Sequence, residues 1–136
     1  MPGSFAKRFE LAWKNPTAEG LADLLADNVV LYQPHLPPLR GKAAAVAEFK
    51  RLFTWLPGTH SVVKRWEESE EFAFIEHVLH FPVGTDFIRI PSVDRIVLKD
   101  GLVIERVAYF DRTKLITAVI KHPSLWFGFI KYRFGR

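Results

Sequence analysis

Cysteine is absent from this chain of 136 residues. Without cysteine, disulfide bonds, thiol nucleophiles and thiolate metal ligands are all excluded. A run of roughly 18 apolar residues, the length that crosses a bilayer as a helix, is also missing. The N-terminal stretch MPGSFAKRFELAWKN has no apolar core of the kind found in signal peptides. We therefore expect a cytoplasmic protein rather than a secreted or membrane-spanning one.

Acidic residues are missing from the C-terminal part of the chain. After Asp111 the sequence contains six lysines and arginines and no aspartate or glutamate, although the formal charge of the whole chain is only +4. The part up to Asp111 therefore carries a slight excess of acid. Because the positive charge is confined to a tail and is not spread over a face of the domain, we expect no nucleic-acid partner.

Hydrophobic residues, in contrast, make up 49% of the chain and include 12 phenylalanines and 4 tryptophans. Charged residues account for 25%, which is ordinary for a globular protein. A chain of this length forms one domain with a sizeable core. Its many aromatic side chains suit either a large core or an apolar cavity.

The order of the predicted elements indicates the fold class. Apolar residues at helical spacing, with caps at the ends, predict helices at 4–14, 17–28, 42–56 and 112–122. Alternating apolar residues between turn signals predict strands at 29–34, 59–67, 71–81, 86–98 and 102–110. A proline-rich loop is expected at 35–41. Together they predict an α+β fold, a cone-shaped barrel of a strongly bent, mostly antiparallel sheet with three N-terminal helices and one C-terminal helix.

The chain divides at Pro123 into a predicted cone domain, residues 1–123, and a C-terminal arm, residues 124–136. In the arm, aromatic residues are interleaved with bases. This pattern occurs in segments that contact membranes or single nucleic-acid strands. It also suits an arm that packs its aromatic side chains on the domain or on a partner subunit. We favour packing, and contact of the arm with a membrane is the alternative.

The stretch SVDRIVLKDGLVIERVAYFD predicts two strands joined by a tight turn, with an acid, Asp94, inside the first strand. A three-residue turn places Asp94 opposite Arg106. In the preceding hairpin, Ile75 falls opposite Asp94, and His77 becomes its diagonal neighbour. The strand face that contains His77 is the more apolar one, so we expect Asp94, His77 and Arg106 to point to the concave side of the sheet.

Two interpretations of this acid stay open. A buried carboxylate is unfavourable unless it is paired, and Arg106 can supply the counter-charge. Asp94 is then either a catalytic group assisted by His77, with Arg106 binding the ligand, or half of an ion pair that only fixes the sheet register. A single histidine on an apolar face is itself more often a hydrogen-bonded core residue than a base.

The residues Asp94, Gly101 and the following VIERVAYFD resemble the hallmark of the SnoaL-like and ketosteroid-isomerase-like families. The earlier stretch LLADNVVLYQPHLPPLRGKAAAVAEF is similar to the first half of the same families, which belong to the nuclear-transport-factor-2-like superfamily. The resemblance covers about residues 5–120. It implies the cone fold, and it leaves the activity open because one fold hosts many functions.

The resemblance also implies roles for single residues. Asp94 matches the strand acid that donates to the oxyanion in ketosteroid isomerases and acts as the base in SnoaL-like cyclases, where His77 would assist. The base position of the isomerases is Gln33, which accepts no proton, and their oxyanion tyrosine falls near Phe9. Steroid isomerisation is therefore not expected. Asp111 matches one acid of limonene-epoxide-hydrolase-like relatives, but the rest of that triad is incomplete.

The sequence provides a set of candidate ligand contacts: Arg106, Gln33, His35, Phe9, Trp55, Phe110 and Asp111. For Asp111 the simpler interpretation is a helix N-cap, for His35 a surface loop, and for Trp55 the core. No two histidines have the helical spacing of a metal site, and phosphate-binding loops are missing, so we predict no metal and no cofactor.

Two hypotheses for the function follow. The first is a cyclase- or isomerase-like enzyme that acts on a small hydrophobic carbonyl compound through Asp94. The second is a non-catalytic module that binds an apolar ligand or mediates dimerisation. A homodimer through the convex sheet face is expected in either case, because apolar residues lie on that face. They are Val93, Val97, Val103, Val107 and Tyr109.

Overall fold

The computed structural model describes residues 4–135, which form helices packed on one mixed sheet. The helices are α1 (Phe5–Lys14), α2 (Ala18–Ala22), α3 (Lys42–Trp55), α4 (Arg112–Lys121) and α5 (Trp126–Phe134), with a 3-10 turn at Pro123–Leu125. The strands are β1 (Leu25–Gln33), β2 (Leu36–Arg40), β3 (His60–Glu68), β4 (Phe72–Val83), β5 (Asp86–Lys99) and β6 (Leu102–Phe110).

The six strands lie in the order β2-β1-β6-β5-β4-β3. Strands β1 and β6 are parallel, whereas all other neighbours are antiparallel. The predicted α+β class and mostly antiparallel sheet are therefore confirmed. Over the described residues the sheet stays open between β2 and β3, so the cone is not a closed barrel.

Helix α1 forms as its sequence predicts. The Ser4 hydroxyl accepts a hydrogen bond from the Lys7 amide at 3.1 Å and so caps the first turn. Phe5, Phe9 and Trp13, spaced four residues apart, are all buried. Helix α1 thus covers the sheet with one aromatic face.

Strand β2 occupies the segment for which the sequence predicts a loop. Its residues LPPLR pair antiparallel with β1, with Leu31 opposite Leu39. Pro37 and Pro38 have no amide hydrogen to donate, but β2 is an edge strand and pairs on one side only. Proline is tolerated at that position of a sheet, and its presence alone does not predict a loop.

The second helix is shorter than predicted and β1 is longer. Thr17 caps α2 as expected, accepting from the Gly20 amide at 2.9 Å. The chain leaves the helix early because the Leu24 carbonyl accepts a hydrogen bond from the Val103 amide at 2.9 Å. From Leu25 onward the backbone then runs beside β6.

The predicted register of β4 on β5 is confirmed, with Ile75 opposite Asp94 and His77 opposite Ser92. The predicted register of β5 on β6 is wrong by two residues, since Asp94 lies opposite Ala108 and not opposite Arg106. Arg106 is therefore a diagonal neighbour of Asp94. Both side chains still point to the concave side and are buried.

Two local features explain this shift. The turn has two residues, Asp100 and Gly101, both in the left-handed region with φ of 53° and 78°, as expected for a two-residue hairpin. Ile104 has no partner on β5 and forms a bulge. Each feature alone would exchange the faces of β6, and together they return Arg106 to the inside. Val103 lies before the bulge and is buried, contrary to its predicted place on the convex face.

The concave face of the sheet forms the core together with α1 and α3. On β4 every second residue is buried, as predicted: Ala73, Ile75, His77, Leu79 and Phe81. From the helices, Phe9, Trp13 and Phe49 pack against this face. Almost the whole concave surface is therefore apolar, and charged groups that point into it are exceptions.

The C-terminal arm is helical, which its sequence does not predict. After α4 the chain turns at Pro123, and α5 packs on α3, where the ring centroids of Trp55 and Tyr132 are 4.9 Å apart. A methyl group added to Gly128 would lie 2.5 Å from Trp55 Cδ1, so only glycine permits this close approach. Arg136, the last base of the arm, lies outside the described residues.

Candidate functional site

Asp94 is the centre of a buried charge cluster in the middle of the sheet. Its side chain has no solvent exposure. The Nε of Arg106 donates a hydrogen bond to Oδ2 at 2.6 Å, and the Nε2 of His77 lies 3.0 Å from Oδ1. The Ser92 hydroxyl is 3.4 Å from the same Oδ1. The three groups that the sequence predicts to meet inside the cone, Asp94, His77 and Arg106, are thus in contact.

Ser61 holds the other side of the histidine ring and was missed in the sequence. Its hydroxyl lies 2.6 Å from His77 Nδ1 and 3.1 Å from the Val78 carbonyl oxygen. Ionised Asp94 only accepts, and the Ser61 hydroxyl donates its single hydrogen to the Val78 carbonyl oxygen. Phe9 covers the ring, with centroids 5.3 Å apart. The strand alternation of β3 could have identified Ser61, since it is a small polar residue at an inward position.

The pKa of Asp94 is set by opposing effects. Burial favours the neutral acid, but the charge of Arg106 and then that of His77 outweigh burial and hold the pKa at about 2, below its ordinary value of 3.8. Asp94 is therefore ionised at neutral pH. A carboxylate of this kind has no proton to donate and accepts one weakly, which favours the ion-pair interpretation over acid catalysis.

A small cavity lies between the sheet, α3 and α5. Its volume is about 30 Å³, which is the share of liquid volume of about one water molecule. Most of its walls are apolar or aromatic, and the apolar lining consists of Trp13, Phe49, Leu52, Trp55, Leu79, Phe81, Ala108, Phe110 and Leu115. Its polar lining consists of Gln33, His35, Glu48, Arg106 and Tyr132.

Arg106 separates Asp94 from this cavity. Arg106 lines the cavity, and its guanidinium lies 5.8 Å from the Trp13 ring centroid and donates to Asp94. Asp94 and His77 do not line the cavity. A molecule in the cavity would therefore meet the cation first, with the carboxylate orienting that cation from the far side.

A second polar chain crosses the cavity wall and was also missed in the sequence. The hydroxyl of Tyr132, on α5, donates to the buried carboxylate of Glu48, on α3. The same hydroxyl is 2.9 Å from His35 Nε2, and Arg51 lies 3.6 Å from the other oxygen of Glu48. Glu48 falls on the helix face of Ala45 and Phe49, which was a signal available in the sequence.

The other predicted contacts are partly brought together. Gln33, His35, Trp55 and Phe110 line the cavity. Phe9 packs on His77 and is not part of the lining, and Asp111 is an exposed N-cap of α4, where it accepts from the Thr113 amide at 2.9 Å. No three histidine, aspartate or glutamate side chains within residues 4–135 are grouped so that they could hold a metal ion.

Outside the cone, a groove of about 1060 Å³ opens to solvent beside the β5–β6 turn. Arg8 donates across it to the Gly101 carbonyl at 2.7 Å. None of the buried charged residues lines this groove.

Within the part of the chain described, there is no helix of the length and apolarity needed to cross a bilayer.

Comparison with known proteins gives both a family and a set of similar folds. The sequence profile of the SnoaL-like domain matches residues 6–106. No match was found among curated proteins. One similar structure is a protein with a ketosteroid isomerase-like fold from Catenulispora acidiphila DSM 44928 in complex with trimethylamine, with a TM-score of 0.75 and 11% identity over 86% of this chain and 92% of that one.

Two further structures carry functional descriptions of their own. A protein described as a SnoaL-like polyketide cyclase from Jannaschia sp. CCS1 has a TM-score of 0.71 and 18% identity over 85% of this chain and 88% of that one. An LEH-like epoxide hydrolase from M. tuberculosis has a TM-score of 0.71 and 15% identity over 88% of this chain and 90% of that one. At such identities the likeness shows a shared fold and not a shared activity.

Proposed function

Because the chain belongs to the SnoaL-like domain family, we propose that its cone binds a small apolar molecule that carries a carbonyl group. The observation that carries the proposal is the presence of unpaired donors in an aromatic cavity. Gln33 Nε2 and Trp55 Nε1 are buried and have no hydrogen-bond partner among residues 4–135, and both residues line the cavity. A buried unsatisfied donor costs about 1–3 kcal/mol, which a carbonyl acceptor would recover.

Arg106 adds a third donor group at the same wall. A guanidinium is suited to a carbonyl oxygen or an enolate because it offers several N–H groups in one plane. Asp94 behind it keeps this group charged, buried and oriented at a hydrogen-bond distance of 2.6 Å. The role proposed for Asp94 is therefore to position Arg106, and the ligand lies on the Arg106 side.

Ligand entry requires a rearrangement of the cavity wall. A volume of about 30 Å³ is far below the roughly 300–1,000 Å³ of ordinary ligand pockets. Trp55 and Tyr132, which stack on each other, form the wall shared by α3 and α5. A ligand of ten or so heavy atoms would displace this pair, so binding and the position of α5 are coupled.

Two matched probes test the proposal: camphor, a compact ketone, and bornane, the hydrocarbon of the same shape. Binding is followed by NMR on the indole N–H of Trp55. Camphor should shift this resonance and bind more tightly than bornane. Gln33→Leu should lower the affinity for camphor about tenfold, equivalent to ~1.4 kcal/mol, and leave the affinity for bornane unchanged. Equal affinity of the two probes, or no binding of either, would contradict the proposal.

Proton transfer next to the ligand carbonyl is the second candidate function. The observation in its favour is the contact of His77 with Asp94, an acid at the position of the general base in SnoaL-like cyclases. Its test is deuterium incorporation beside the camphor carbonyl. If Asp94 is catalytic, the natural protein accelerates the exchange. The Asp94→Asn variant then loses this acceleration but still binds camphor. The binding module requires no acceleration by either protein.

We also propose that the convex sheet face forms a homodimer. Phe72, Phe74, Val93 and Tyr109 are exposed on the sheet. Charges of both signs accompany them, including the Arg95–Glu105 pair at 3.8 Å, so a twofold contact would not set a face of one charge sign against itself. Light scattering at micromolar concentration should give twice the mass of the chain, and Tyr109→Glu should give the monomer. A monomeric natural protein would rule out this interface.

A further inference from the structure

Helix α5 has an exposed apolar face opposite the face that packs on the domain. Phe127, Ile130 and Phe134 follow one another at steps of three and four residues and are 81%, 57% and 72% exposed. Trp126, at the start of the same helix, is 49% exposed. The inward face carries Tyr132, which is buried against Trp55. The helix is thus apolar on both sides, and only one side is covered within the described residues.

Bases border this exposed face. Lys131 and Arg133 lie on its two sides at helical spacing, and Arg133 stacks over the Phe134 ring at 5.4 Å. The neighbouring helix α4 contributes Ile120, 63% exposed, followed by Lys121. The two helices are tied together by the Trp126 indole, which donates to the Val119 carbonyl at 2.8 Å. We name the exposed side chains of Ile120, Trp126, Phe127, Ile130 and Phe134 the arm face.

The charge pattern decides which partner fits the arm face. From residue 112 onward, every charged side chain of the sequence is positive. A second copy of the arm face would therefore bring bases against bases. A nucleic-acid strand offers negative charge and bases that stack on aromatic rings, but it offers no apolar surface for Ile120 and Ile130. The interface of an anionic bilayer offers both acyl chains for the apolar side chains and negative head groups for the bases.

We propose that the arm face binds the surface of an anionic lipid bilayer. The helix lies in the plane of the membrane, since α5 has nine residues and is too short to cross it. Phe127, Ile130 and Phe134 enter the boundary between head groups and acyl chains. Lys131 and Arg133 stay at the level of the phosphates. This surface is separate from the cavity, and the proposal stands whether or not the cavity binds a carbonyl compound.

The test is flotation of the full chain with lipid vesicles. The protein should float with vesicles of phosphatidylcholine and phosphatidylglycerol, much less with phosphatidylcholine alone, and the binding should weaken in high salt. Replacing both Phe127 and Phe134 by serine should lower the affinity more than tenfold. Replacing both Lys131 and Arg133 by glutamine should lower it about fivefold per residue and reduce the preference for anionic lipid.

The matched control replaces Leu11 by serine, since this side chain is 68% exposed but lies on α1, outside both the arm face and the convex sheet face. This variant should bind vesicles like the natural protein. All replaced side chains are at the surface, and circular dichroism checks that the fold is intact. No flotation of the natural protein, or equal flotation of the Leu11 variant and the phenylalanine variant, would overturn the proposal. Two other results would also overturn it. One is that the arm-face variants lose self-association and keep their lipid binding; the other is that the natural protein binds a single-stranded oligonucleotide but not vesicles.

Discussion

Replacing Asp94 by leucine would leave the Arg106 guanidinium buried without its counter-charge. Both side chains are almost fully buried, and the bond that joins them measures 2.6 Å. Breaking a buried pair by removing one partner costs about 3–5 kcal/mol, because the remaining charge keeps its desolvation penalty. We expect this loss for Asp94→Leu and, with the roles exchanged, for Arg106→Met. The double variant should lose much less than the sum, since neither charge remains.

The pH dependence provides an independent check on the same pair. The pKa of Asp94 falls from 3.8 to about 2 on folding, which corresponds to on the order of 2–3 kcal/mol of stabilisation. A depressed pKa means that this stabilisation is complete above the unfolded value and is lost as the pH falls through the folded value. The difference in unfolding free energy between the natural protein and Asp94→Leu should therefore shrink between about pH 4 and pH 2.

Urea unfolding, followed by tryptophan fluorescence, measures both effects on the four proteins of the cycle. Two results would refute the reasoning. Strict additivity of the two single costs would show that Asp94 and Arg106 do not interact. A stability difference that stays constant in acid would show that Asp94 is not the titrating partner.

Three further predictions concern the C-terminal helices. Tyr132→Phe should lower the unfolding free energy by about 1–3 kcal/mol, because the buried Glu48 carboxylate loses a donor; an unchanged urea midpoint would contradict this. Gly128→Ala should shift α5 and cost about 1–3 kcal/mol, because the added methyl meets the Trp55 ring, and the near-ultraviolet dichroism of the tryptophans should change with it. Asp111→Ala should cost about 1 kcal/mol in thermal unfolding through loss of the α4 cap while leaving camphor binding unchanged; weaker binding would show that Asp111 contacts the ligand.

The sequence predicts those elements in which local signals and long-range pairing agree. Helix α1 has its cap and its aromatic spacing, and the β4–β5 register follows from which strand face is apolar. The sequence predicts a loop in place of strand β2 because Pro37 and Pro38 are strong local signals, whereas the edge position of β2 is decided by strands distant in sequence. In the β5–β6 hairpin, a shorter turn and a bulge at Ile104 cancel each other. The face of Arg106 was therefore predicted correctly from an incorrect register.

The candidate site was predicted only in part for a similar reason. Asp94, His77 and Arg106 lie on neighbouring strands, where alternation is enough to bring them together. Glu48 and Tyr132 meet only because α5 packs on α3, a contact between residues 84 positions apart. Both faces of α5 are aromatic, so hydrophobic periodicity does not show which of them turns inward.

If the cavity binds a ligand and the arm face binds a membrane, the two-sided character of α5 links the two binding equilibria. A ligand that displaces Tyr132 from the cavity wall changes how freely α5 moves, and a membrane that binds the outer side of α5 changes how easily Tyr132 is displaced. By reciprocity, whatever factor the membrane applies to ligand affinity, the ligand applies to membrane affinity. If the displaced helix is the one that fits the bilayer, the protein takes up its ligand at the membrane and releases it in solution. If the docked helix fits better, the direction of transfer is reversed.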